Sequence, residues 1–198
     1  MARSIAGENR RASLVLVTRQ IVVAGILGSI AIFLGYTRLG FIPVPNLTGN
    51  ATIMHVPAIL GGVLEGPVVG ALAGTIFGIF SWLDAAVPAF KDPSVAILPR
   101  VIIGVIAWAL FVGIRGRNLY VASLLAGVVG SAVNTIGVVG MGYLRGYWPL
   151  KTFALVFPQA VAEAIIAAVV SAIVVQAVTR YRSGVSTAPE PRQKEVRF

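Results

Sequence analysis

Apolar residues in this chain come in long uninterrupted blocks, not in the half-apolar stripes that soluble amphipathic helices show. The blocks run roughly Leu14–Tyr36, Leu47–Leu64, Pro67–Val87, Val95–Ile114, Leu119–Tyr143 and Thr152–Tyr181. A helix needs about 20 residues to cross the hydrocarbon core of a bilayer, and each block approaches that length, the second being short. Alternation of period two is absent, and a barrel would need more and shorter segments, so strands are not expected. The pattern predicts an all-α integral membrane protein with six transmembrane helices. Breakers mark the connections. Glu65-Gly66-Pro67 and Arg115-Gly-Arg117-Asn118 read as tight turns, with Pro67 in the first turn of the third helix. Pro88–Pro93, Arg145–Pro149 and above all Thr37–Asn50 read as longer loops, and Gly49-Asn50 as a hinge that would let Thr37–Asn50 close as a lid. The expected organisation is a polar N-terminal segment 1–13, a membrane domain 14–182 and a flexible tail 183–198.

Composition supports the bilayer as solvent. Hydrophobic residues make up 57% and charged residues 12%, and mean hydropathy is +0.89, too apolar for a soluble domain of this size. The net charge of +9 would fit nucleic acid, but the basic residues sit at membrane flanks, where topology explains them. With the N-terminus cytoplasmic, that side carries Arg3, Arg10, Arg11, Arg19, Arg115, Arg117, Arg180, Arg182, Arg192, Lys194 and Arg197. The other side carries Arg38, Lys91, Arg100, Arg145 and Lys151. Eleven against five is a positive-inside bias. Both termini are then cytoplasmic, the three longer loops lie outside, and the expected location is the cell membrane. The basic N-terminus and first apolar run resemble a signal peptide, but the run is too long, so it reads as a retained helix. There is no cysteine and one histidine; no disulfide and no metal site is expected.

Ionisable and polar groups inside membrane helices are costly and face protein or a water-filled cavity. Glu163 lies well inside the sixth block, with Gln159 one turn earlier on the same face. Asn134, followed by Thr135, sits within the fifth block, and Arg100 follows Pro99 in the fourth. His55 lies near the outer end of the second. A guanidinium binds a carboxylate through two parallel hydrogen bonds, which makes Arg100 the best anchor for an anionic ligand. The competing readings are an interfacial snorkel for Arg100, interhelical hydrogen bonds for Glu163, Gln159 and Asn134, a satisfied interfacial histidine for His55 and a loop cap for Asp84. No nucleophile–base spacing, HExxH motif, phosphate loop or carboxylate pair is visible; the chain does not read as an enzyme, and no cofactor is expected. Small residues recur at four-residue steps: Ala24/Gly28 and Ala31/Gly35 in the first helix, and Gly70, Gly74 and Gly78 in the third. Such stripes allow backbones to approach closely, either within the chain or against another subunit.

Together these residues resemble the substrate-binding S components of energy-coupling factor (ECF) vitamin transporters, over roughly Val17–Arg180. The matching stretches are Thr52-Ile-Met-His55-Val-Pro57, Gly61-Gly-Val-Leu-Glu65-Gly66-Pro67-Val-Val-Gly70 and Leu98-Pro99-Arg100-Val-Ile-Ile-Gly104, with Asn134-Thr135 and Glu163-Ala164. They look most like the pantothenate-type branch. The resemblance implies a six-helix subunit that captures a vitamin at its outer face, aided by a membrane T component and two ATPase subunits. It implies docking of the T component on the small residues of the first helix, matched here by Ala24 and Gly28. Pantothenate would use Arg100, Asn134, Gln159 and Glu163, with His55 as a further contact. Riboflavin, the main alternative vitamin, would want stacking on Phe41, Trp82 or Trp108. Two other classes stay open: a stand-alone proton-coupled carrier using Glu163 and Arg100, and a small membrane enzyme using Glu163 or His55 as acid or base. No internal repeat supports the carrier, and a lone histidine is weak support for the enzyme.

Overall fold

The computed structural model describes residues 2–46 and 49–186, with side chains described for 17–42 and 50–184. In chain order the elements are α1 (Ala2–Tyr36), β1 (Phe41–Asn46), β2 (Gly49–Thr52), α2 (Val56–Glu65), α3 (Pro67–Leu83), a 3-10 turn (Pro88–Lys91), the single-turn α4 (Pro93–Ala96), α5 (Leu98–Ile114), α6 (Leu119–Leu144) and α7 (Thr152–Ser186). Four stretches are long and apolar enough to cross a membrane: Val17–Tyr36, Pro93–Ile114, Leu119–Leu144 and Thr152–Gly184. Two shorter apolar helices, α2 and α3, complete the bundle. The chain is a mostly helical, multi-pass membrane protein. The helices α1 and α7 run on past the boundaries expected at 13 and 182, and the rest of the tail lies outside the described residues.

The expectation that corrects most is the second block. Leu47 and Thr48 lie outside the described residues, Gly49–Thr52 is strand, and the helix opens only at Val56. Phe41–Asn46 and Gly49–Thr52 form an antiparallel hairpin, pairing Phe41 with Thr52, Ile42 with Ala51 and Pro43 with Asn50. The register shifts between Pro43 and Asn46. Pro43 and Pro45 withhold amide donors, which a hairpin edge tolerates and a helix interior does not. The fold is therefore not purely helical, Thr37–Asn50 is not an open loop, and Gly49 belongs to a paired strand. What remains of the block is α2, ten residues long, about 15 Å. It reaches half way through a hydrocarbon core and is buried from Val56 to Val63.

That short helix is the axis of the core. Ala58 and Ile59 pack with Ile103, Ala107 and Phe111 of α5, Ala122 and Ala126 of α6, and Ala167 and Val175 of α7. The turn after α2 uses Gly66 at φ 104°, a left-handed backbone that side chains disfavour, and Pro67 opens α3 as expected. Glycines then bring α2, α3 and α5 into backbone contact. A Cβ on Gly70 would lie 2.8 Å from the Cα of both Gly62 and Gly104. A Cβ on Gly74 would lie 2.9 Å from the carbonyl carbon of Arg100, and one on Gly78 would lie 2.8 Å from the Cα of Ile97. The Gly70/Gly74/Gly78 stripe is thus internal: it seats the first turns of α5, which carry Arg100.

The Ala24/Gly28 pair also faces inward. Ala24 is buried, and a Cβ on Gly28 would lie 2.8 Å from Ile76 Cγ2 on α3. This corrects the docking surface expected there: spacing announces a close approach but not the partner. The exposed side of α1 carries Val17, Ile21, Val22, Ile26, Ile30 and Phe33 instead.

Candidate functional site

Two adjoining cavities lie at the end of the bundle where the hairpin packs on the helices. The larger, about 140 Å³, is lined by Phe41, Met54, Phe77, Phe80 and Phe90, with Arg38 and Asp84 at its rim. The smaller, about 50 Å³, is lined by Asn134, Thr135, Val138, Val139, Val156, Gln159 and Glu163. Asn50, Thr52, Phe90 and Arg100 line both. The site is one polar pocket against one aromatic pocket, with Arg100 between them.

Arg100 is 3% exposed. Its Nη1 donates to the Val95 carbonyl at 2.6 Å, and its guanidinium stacks 5.3 Å from the centre of the Phe77 ring and 5.1 Å from that of Phe90. Its Nε has no hydrogen-bond partner. The ion pairs among the described residues all involve other arginines. Glu163 shares the smaller cavity and attracts Arg100 from beyond ion-pair distance, but a buried cation without a carboxylate in contact is expensive, and cation–π contact with two rings offsets only part of that cost. Asn134 is the matching acceptor. It is 5% exposed, lines the smaller cavity, and its Oδ1 has no partner.

Glu163 and Gln159 do something different. Glu163 Oε1 accepts the Thr52 backbone N–H at 2.6 Å and Gln159 Nε2 at 2.9 Å, and Thr135 adds a side-chain hydrogen bond. Gln159 Nε2 also donates to the Asn50 carbonyl at 3.3 Å. These two residues pin strand β2 to α7 while lining the smaller cavity. Glu163 thus ties α7 both to the hairpin, through Thr52, and to α6, through Thr135.

His55 and Trp108 line neither cavity. His55 is fully buried at the start of α2, with neither ring nitrogen partnered, and it lines neither cavity. Trp108 is half-buried two turns further along α5, about 12 Å from Arg100, and also lines neither. Trp82 instead donates to the Lys91 carbonyl at 3.1 Å.

Sequence reasoning missed the rim. Arg38 leaves α1 in a left-handed turn, φ 62°, lies 5.4 Å over the Phe41 ring and pairs with Asp84 through contacts of 2.8 and 3.3 Å. Asp84 is therefore an ion-pair partner and not only a cap. On the next loop Arg145 pairs with Asp92 at 2.7 Å, and the Asp92 carboxylate also accepts from Ser94. Ser94 first, and then Arg145, hold the Asp92 carboxyl at about 2 instead of its ordinary 3.8.

A helical membrane chain with a buried, polar-lined cavity near one end, holding a guanidinium outside any ion pair, is built to bind a small polar molecule. The chain matches the family model described as ECF transporter, substrate-specific component, over residues 19–179, and it belongs to that family. It is also similar to two curated proteins. The Pantothenic acid transporter PanT of Lactococcus lactis subsp. cremoris is 23% identical over 158 residues, covering 67% of this chain and 79% of the relative. The Pantothenate transporter PanT of Leuconostoc mesenteroides subsp. mesenteroides is 26% identical over 143 residues, covering 67% and 69%.

Proposed function

We propose that this chain captures pantothenate from outside the cell and presents it for ATP-driven uptake. The observation that carries the reading is the pair Arg100 Nε and Asn134 Oδ1. Both are buried, both lack a partner, and both residues line one cavity. An anionic ligand with a donor of its own satisfies both at once. Pantothenate has a carboxylate for Arg100 and hydroxyl and amide groups for Asn134 and the polar wall. Its aliphatic end fits the phenylalanine-lined side. The two relatives named as pantothenate transporters support the same choice.

In this reading α1, α2, α3, α4 with α5, α6 and α7 make six membrane segments, with both termini cytoplasmic, in the plasma membrane. Segments 1–13 and 183–198 flank the membrane domain 14–182 on the cytoplasmic side. Family membership supports assembly with a membrane T component and two ATPase subunits, which would supply the energy. The T component would meet a lipid-facing surface, since Ala24 and Gly28 are buried against α3. A proton-coupled carrier built on Arg100 and Glu163 finds no support in their geometry, because the two do not form an ion pair.

Calorimetric titration of the purified chain, without ATP, tests the reading. Pantothenate should bind at one site, and riboflavin should give no heat. Tight riboflavin binding with no pantothenate heat would reject the ligand and leave the family intact.

A further inference from the structure

The end of the bundle opposite the two cavities carries guanidinium groups that no described side chain neutralises. Among the residues whose side chains are described, five arginines sit there, Arg19, Arg115, Arg117, Arg180 and Arg182, against one carboxylate, Glu65. Glu65 takes Arg19 at 2.8 Å and also Arg182. Arg115 lies 6.0 Å over the Phe111 ring, and neither it, Arg117 nor Arg180 has a carboxylate within ion-pair distance among the described residues.

Beside this charge a groove of about 470 Å³ opens between the start of α6 and the end of α7. Its α7 wall is a single helical face: Val169, Ile173, Gln176 and Arg180 follow one another at steps of four, three and four residues. Val169 and Ile173 are 48% and 64% exposed, and Tyr120 forms the α6 side. From Val169 to Arg180 the axis runs about 16 Å, close to the hydrocarbon depth of one leaflet, about 15 Å. Polarity along the groove is graded. A guanidinium stands at the rim, a carboxamide one turn deeper, and apolar side chains below. That is the order of phosphate, glycerol ester and acyl chain in a phospholipid.

We propose that this groove binds one anionic phospholipid, with its phosphate on Arg180, its ester region at Gln176 and an acyl chain along Ile173 and Val169. Charge selects the class of lipid. A zwitterionic headgroup brings its own cation to a rim whose positive charge no described carboxylate pairs, whereas an anionic one neutralises it. The apolar floor selects a lipid over a free anion, which would leave Val169 and Ile173 uncovered.

The test is native mass spectrometry and thermal unfolding of the detergent-purified chain, titrated with phosphatidylglycerol, phosphatidylcholine or water-soluble glycerol phosphate. Phosphatidylglycerol should be retained as a single adduct in preference to phosphatidylcholine, and glycerol phosphate should not stabilise the protein. Arg180→Gln should cut the preference about fivefold, the weight of one basic residue at an anionic surface. Ile173→Gln should weaken retention of the same adduct. Arg117→Gln, at the same end but outside the groove, should leave the preference unchanged. All three variants alter exposed side chains, so their midpoints in phosphatidylcholine should match wild type. Equal retention of the two lipids, a preference that survives Arg180→Gln, or equal loss in Arg117→Gln would overturn the site. Stabilisation by glycerol phosphate as strong as by the lipid would also overturn it, and would point to a headgroup-only anion site.

Discussion

Replacing Arg100 with Ala removes a cation buried between the two cavities. In the ligand-free protein this change has opposing effects. It loses one hydrogen bond to the Val95 carbonyl, worth about 1.5–3 kcal/mol for a charged donor. It loses contact with the Phe77 and Phe90 rings, worth about 0.5–2 kcal/mol. Against these stands relief from a buried charge, whose penalty is several kcal/mol; it has no ion-pair partner and only the longer-range attraction of Glu163. The terms nearly cancel, so the ligand-free thermal midpoint should change little. The bound state has no such cancellation. Truncating one partner of a buried charge pair costs about 2–5 kcal/mol, a loss of roughly 30-fold to several thousand-fold in Kd. Arg100→Lys should recover only part of the affinity, because an ammonium cannot reproduce a planar fork that keeps Val95 and a carboxylate together. Calorimetry for affinity and scanning calorimetry without ligand separate the two effects. Wild-type pantothenate affinity in Arg100→Ala would refute the argument, as would a ligand-free midpoint that collapses in step with affinity.

Glu163→Gln should loosen the hairpin by about 1 kcal/mol, the difference between a charge-assisted and a neutral hydrogen bond to the Thr52 amide. Hydrogen exchange should show faster opening at Thr52, with a smaller change in affinity than Arg100→Ala gives; unchanged exchange there would mean the contact carries no load. Gly70→Ala places a Cβ 2.8 Å from two backbone Cα atoms and should lower stability by about 1–3 kcal/mol. Gly113→Ala meets nothing within 4 Å and should raise it by about 0.4–1 kcal/mol; thermal midpoints of the pair check the sign. Since the Asp92 carboxyl is held at about 2, below its ordinary 3.8, its contribution to stability is complete above the ordinary value. It is lost as pH falls through the held value. Acid unfolding of Asp92→Asn should lack that component, and identical acid profiles for the two proteins would count against the Ser94 and Arg145 contacts.

Hydropathy located the long helices because a bilayer demands uninterrupted apolar length, and α6 begins at Leu119 and α7 at Thr152 as expected. It joined the second strand to α2 and left the first in a loop, because a window wide enough to detect a span averages over strands of six and four residues. Arg100, Asn134, Gln159 and Glu163 were visible as polar residues in apolar surroundings, where their cost demands a reason. Arg38 and Asp84 were not, because they lie 46 residues apart and each resembles an ordinary interfacial charge. Trp108 was chosen for its ring alone, and a ring says nothing about depth or face. The same limit applied to Ala24 and Gly28: four-residue spacing permits close approach, but only the fold decides whether α3 or another subunit makes it.

The central claim is that one carboxylate-bearing ligand completes the buried Arg100–Asn134 cavity. A crystal structure of the protein with pantothenate tests it most directly. The carboxylate should lie within hydrogen-bond distance of Arg100 Nε, with a ligand hydroxyl or amide donating to Asn134 Oδ1. Pantothenate bound elsewhere, with both of those atoms still unpartnered, would contradict it.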